Sequence, residues 1–147
     1  MSRTCDIDPA LLEKLEAFRF AKRSEGNAAL ICMIDKRKLL IVEEEVEDDE
    51  GEAVDMDNLS IEVLASVLPT STPRYIVLSY GLKHDDGRQS YPLVFLYYSP
   101  KGVKPEFNVL YASSKTYFQN KVGLGKAFDL QDTRDLTDDW LRAKLLK

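Results

Sequence analysis

Residues 75–98 read YIVLSYGLKHDDGRQSYPLVFLYY. Two runs rich in aromatic and β-branched residues, Tyr75 to Leu82 and Tyr91 to Tyr98, flank Asp86-Gly87, a dipeptide suited to a tight turn. The pattern predicts an antiparallel hairpin. Both faces of both strands are largely apolar, so the hairpin must lie inside a sheet covered above and below by helices.

On the N-terminal side, Asp8-Pro9 is a helix start, an acidic cap followed by proline at the first helical position, and Leu11, Leu12, Leu15 and Phe18 recur at helical spacing. This first helix should run to about Arg23 and stop at Gly26-Asn27. Ala28 to Ile34 is an unbroken apolar run, read as a strand; Asp35 to Lys38 makes a polar turn, and Leu39 to Val42 returns as its partner. Asp57 or Asn58 can cap a short helix through Leu68, ahead of the breaker segment Pro69 to Pro73. On the C-terminal side, Pro105 opens a long helix ending near Gly123, Lys126 to Leu130 is a short strand, and Thr137 caps the last helix, with Asp138 and Asp139 in its first turn. The expectation is one α/β domain over residues 1–147, a central mixed sheet between helices.

The composition fits such a domain: 147 residues, 44% hydrophobic, without a low-complexity tract or an apolar stretch of the roughly 20 residues that span a bilayer. No apolar leader opens the chain, and a soluble, cytoplasmic monomer is expected, without membrane contact. The net charge of −5 argues against general nucleic-acid binding. Eight of the 25 acids fall in residues 43–52, EEEVEDDEGE, a run that reads as a solvated loop. Cys5 and Cys32 form no CxxC and have no histidine cluster, so neither a disulfide framework nor a zinc site is expected.

Residues fit for chemistry are sparse. His84 is the single histidine, and its neighbours Asp85 and Asp86 sit with it at the hairpin turn; an acid-base or metal site there would need convergent groups in a cleft. Gly123-Leu124-Gly125-Lys126 resembles part of a phosphate loop, but it follows a helix and precedes a strand, whereas phosphates sit at helix N-termini. No catalytic residue, metal or cofactor is expected.

Val109, Ala112, Ser113 and Thr116 fall at i, i+3, i+4 and i+7 of the long helix, a stripe of small residues suited to entering a cleft. Phe107, Leu110, Tyr111, Ser114, Tyr117 and Phe118 are left to face the sheet.

An ordered set of segments spans nearly the whole chain: Asp8-Pro9, Phe18-Arg19-Phe20, Leu40 to Glu45, HDDGR at 84–88, SYPL at 90–93, YASSK at 111–115, and Asp135-Leu136-Thr137 with Trp140-Leu141. In these the sequence resembles glia maturation factor, a branch of the actin-depolymerising-factor homology fold. The resemblance implies a non-enzymatic regulator that binds the actin-related protein 2/3 complex, inhibits branched nucleation and promotes debranching, at cortical actin patches or a leading edge. It implies a docking surface of Ser2, Arg3, Val109, Ala112, Ser113, Lys115 and Thr116, which the basic residues Arg19, Lys22 and Arg23 could assist, with Ser2 a possible phosphorylation site. A second, debranching surface is implied at His84, Asp85, Asp86, Arg88, Asp138, Asp139 and Arg142.

Cofilin-like proteins share the YASSK segment but typically carry lysines before it and a lysine run after it, where this chain has Glu106 and Asn108, then Thr116 to Asn120. Weak or no binding to actin itself is therefore expected, the alternative being a cofilin-like actin binder and severer. The acidic insertion from Val46 to Asp57 is longer than the family pattern and should lie away from the docking helix.

Overall fold

The computed structural model describes residues 5–23 and 26–146; Ser2, Arg3 and Lys147 lie outside them. Among the described residues, strands and α-helices follow in the order β1 (Asp6–Ile7), α1 (Pro9–Phe20), β2 (Ala28–Asp35), β3 (Leu40–Glu43), α2 (Ile61–Ser66), β4 (Arg74–Ser79), β5 (Leu82–Lys83), β6 (Gln89–Ser90), β7 (Leu93–Tyr98), α3 (Pro105–Val122), β8 (Lys126–Leu130) and α4 (Asp138–Leu145), with a 3₁₀ turn at Thr133–Asp135. Six strands make the main sheet in the order β1-β3-β2-β4-β7-β8. The pairs β1/β3 and β7/β8 are parallel and the others antiparallel.

Strand alternation sorts side chains into two cores. Leu30, Cys32, Tyr75, Val77 and Phe95 join Leu11, Leu15 and Phe18 of α1 and Tyr111, Phe118 and Val122 of α3. On the opposite face Ile31, Ile76, Leu78, Val94 and Leu96 meet Leu64 of α2 and Leu141 of α4. The expected α/β sandwich around a mixed sheet is the fold observed.

Aromatic rings fix α3 on its layer. Phe118 lies flat against Tyr75, centroids 5.0 Å apart at 15°, and Tyr75 also donates its hydroxyl to the Tyr111 carbonyl. The Tyr111 hydroxyl accepts the Ile34 amide of β2 at 3.0 Å. Tyr111→Phe leaves that buried N–H unpaired, so a loss of about 1–3 kcal/mol is expected, read as a lower denaturant midpoint at unchanged slope.

Several boundaries differ from the sequence reading. Helix α1 ends at Phe20 rather than near Arg23, because Ala21 turns to extended backbone and the Arg23 guanidinium comes back over the Phe18 ring at 4.8 Å. Helix α2 is capped by Ser60, whose hydroxyl accepts the Val63 amide, not by Asp57 or Asn58. Leu59 is already paired with Asn27 in an isolated bridge, so the helix cannot begin before it. Strand β1 was not foreseen; two residues show no alternation, and the backbone bonds Asp6 N to Leu39 O and Asp8 N to Ile41 O hold it.

The hairpin is split. The main ladder stops at Ser79 and Leu93, because Pro92 has no N–H to continue it and Gly81 packs against Gly26, whose carbonyl would lie 2.8 Å from any Cβ placed there. Beyond the break, β5 and β6 form a separate two-rung ribbon.

The acidic run is also divided. Glu43 ends β3 and binds Lys14 at 2.7 Å, and Glu44 forms a two-point bond with the buried Arg74. Residues 47–52 are exposed, in a tight turn where the Asp48 carboxylate accepts the Glu50 and Glu52 amides. Val46 and Met56 pack against the α2/α4 core, on the sheet face opposite α3.

Candidate functional site

Helix α3 starts at Pro105 and ends on Gly123, which takes the left-handed conformation (φ 81°) as its cap. Eighteen residues make five turns, and the buried positions Tyr111, Ser114, Phe118 and Val122 follow one stripe. The opposite stripe is therefore outward: Val109 is 68% exposed, and Ala112, Ser113 and Thr116 are exposed with it. The division expected from spacing holds, and the outward stripe carries no charge.

Lys115 is not on the open part of this surface. Its ammonium lies 3.1 Å from the Asp129 carboxylate of β8 and 4.9 Å above the Tyr97 ring, folded down the flank of the helix. The basic triplet at the end of α1 is dispersed. The Arg19 guanidinium reaches the C-terminus of α3, so that a Cβ on Gly123 would lie 2.8 Å from it. Arg23 lies over Phe18 and 3.9 Å from Asp57, and Lys22 is exposed beyond the helix end. Phe20, 70% exposed, borders an open recess of about 330 Å³ with Leu12, Arg19, Lys121 and Val122.

The second set of residues is brought together. In the ribbon turn, Gly87 (φ 91°) lets the chain reverse, the His84 amide donates to the Arg88 carbonyl at 2.8 Å, and Asp86 accepts the Arg88 amide and its guanidinium. Those two bonds, the backbone one first, hold the Asp86 carboxyl below the usual carboxylate range, so it stays ionised in mild acid. The nearest partner element is α4. Arg142 donates to the Lys83 carbonyl at 2.6 Å and lies 3.9 Å from Asp85, while Asp138 accepts the hydroxyl of Tyr80 at 2.7 Å. Burial and that bond raise the Tyr80 phenol well above its ordinary value. Asp139 is exposed beside them.

His84 Nε2 lies 2.8 Å from Ser90 Oγ across the ribbon. The pair sits on a two-rung hairpin outside the main sheet. Among the described residues no group of His, Cys, Asp and Glu could hold a metal ion, and no helix is long and apolar enough to cross a membrane. The Cys32 thiol, fully buried, is pushed up far above its usual range and stays protonated.

Tyr80 and Asp129 are the contributors that sequence reading missed. Tyr80 reads as one more apolar strand position, and nothing in sequence ties its hydroxyl to a residue 58 positions away. Asp129 follows Lys115 by 14 positions in a different element, so no helical or strand spacing links them.

Residues 4–146 match the cofilin/tropomyosin-type actin-binding protein family. The chain is 47% identical to glia maturation factor beta of Homo sapiens over 141 residues, 96% of this chain and 92% of that protein. It is 38% identical to glia maturation factor of Drosophila melanogaster over 98% of this chain and 97% of that one. The solution structure of glia maturation factor from Caenorhabditis elegans superposes with a TM-score of 0.73 at 33% identity, covering 98% of this chain and 99% of its own.

Proposed function

The chain belongs to the cofilin/tropomyosin-type actin-binding family, within it to the glia maturation factors, and from that premise we propose that it binds the actin-related protein 2/3 complex, inhibits branched nucleation and releases existing branches. Cytoplasmic branched actin, in cortical patches or at a leading edge, is the proposed place of action, and a monomer the acting form.

The observation that carries this reading is the outward stripe of α3. Val109, Ala112, Ser113 and Thr116 offer a narrow uncharged ridge, and the neighbouring Lys115 is held to Asp129. A ridge of that shape fits an apolar cleft and lacks the positive field that would draw it to an acidic surface. Ser2 and Arg3 would extend the ridge; a phosphate on Ser2 would bring negative charge to its edge and weaken docking. The partner's cleft is the barbed end of an actin-related subunit, where the first actin of a daughter filament must also bind. Occupying that space favours the open junction, so branches leave by a shifted equilibrium and no covalent step is needed. The ribbon and α4 would supply the second contact.

Capture by the immobilised chain tests this. The actin-related protein 2/3 complex is expected to be retained at concentrations where actin monomers and filaments are washed through. Stronger retention of actin than of the complex would instead assign a cofilin-like activity.

A further inference from the structure

The ribbon carrying His84, Asp85, Asp86 and Arg88 has two rungs, Leu82 with Ser90 and Lys83 with Gln89, and shares no ladder with the main sheet. A hairpin that short cannot hold its own direction in water. Leu82, buried in the core, and the Gly81 amide, which donates to Asn27 Oδ1 at 2.8 Å, anchor its first strand, and helix α4 adds two further bonds. Asp138 and Arg142 are one turn apart on one face of that helix. Asp138 takes the hydroxyl of Tyr80 at 2.7 Å, where the chain leaves β4, and Arg142 takes the Lys83 carbonyl at 2.6 Å, inside the ribbon. The ribbon is thus clamped at its root and along its length by two side chains from the same helix face.

We propose that Tyr80, Asp138 and Arg142 are positioning residues for the second surface: they set the ribbon tip against α4, leaving His84, Asp86, Arg88 and Asp139 to touch the partner. The inference rests on the branch-release reading. Tyr80 decides it, because at 3% exposure it cannot reach a partner, and only its hydroxyl meets Asp138.

The full chain and four variants, Tyr80→Phe, Asp138→Asn, Asp138→Ala and Arg142→Lys, separate positioning from contact. Asparagine keeps the oxygen that accepts the Tyr80 hydroxyl but removes the charge, and lysine keeps the charge but loses the fork that spans Lys83 and Asp85. Branch-release rate is expected to fall roughly fivefold, the size of one lost hydrogen bond, in Tyr80→Phe, Asp138→Ala and Arg142→Lys. Asp138→Asn, which keeps the acceptor for the Tyr80 hydroxyl, should lose markedly less than Asp138→Ala. Unaltered release in Tyr80→Phe, or a loss in Asp138→Asn as deep as in Asp138→Ala, overturns the proposal. If the unaltered chain releases no branches, the functional reading fails. Amide exchange at His84 and Gly87 then still tests the clamp: faster exchange in Tyr80→Phe and Arg142→Lys sustains it, and unchanged exchange refutes it.

Discussion

Ala112→Asp is expected to lower affinity for the actin-related protein 2/3 complex on the order of 100-fold. Ala112 lies exposed in the middle of the α3 ridge, between Val109 and Thr116. In the free protein a carboxylate there stays in water and costs the fold only about 0.6 kcal/mol, the difference in helix propensity between aspartate and alanine. Once the ridge enters a cleft the same carboxylate loses its water, and the neighbouring Lys115 is already taken by Asp129. Stranding a charge in that way typically costs about 3 kcal/mol, which is the 100-fold. A binding titration beside a denaturant melt checks it. Affinity within threefold of the unaltered chain, with the fold intact, would remove α3 from the docking surface.

Phe118→Ala is the substitution with the largest expected effect on stability, about 3–5 kcal/mol. The ring is fully buried and sits against two others, Tyr75 at 5.0 Å and Phe95 at 5.7 Å. Its removal leaves a hole bounded by β4, β7 and α3, in the middle of a sheet that cannot collapse into it. The loss would appear as a shift of the chemical unfolding midpoint. Phe118→Leu, which keeps most of the volume, should recover more than half of it. A loss below about 1 kcal/mol for the alanine variant would mean that α3 is not packed by its aromatic stripe. Because the stripe and the ridge are two sides of one helix, this variant should also weaken docking, through population of the folded state rather than through contact.

Much of the fold was legible because periodicity reports burial. The unbroken apolar runs Ala28 to Ile34 and Tyr75 to Leu82 announce strands covered on both faces, and in the structure Leu30, Cys32, Tyr75 and Val77 enter one core and Ile31 and Ile76 the other. Asp8-Pro9, Thr137 and Gly123 act where cap chemistry places them. What escaped was decided by partners distant in sequence. Ser60 caps α2 only because Asn27 has already engaged Leu59, and the hairpin breaks where Pro92 meets the packed Gly26-Gly81 corner. The outward stripe of α3 was readable from spacing as a shape, but the docking role proposed for it came from the ordered motifs. Lys115 shows the difference: its place in YASSK was plain, whereas its attachment to Asp129 depends on where β8 lies beside β7.

The position of β8 has a colloidal consequence as well. It is the outermost strand on its side, so its free edge offers unpaired N–H and C=O groups to any other extended chain. Only five residues long, it carries Lys126 and Asp129 exposed, and at the opposite margin β1 offers two residues. Short, charged margins recruit poorly, so concentrated solutions of this protein should remain clear and monodisperse, without the sheet-to-sheet stacking that bare margins invite.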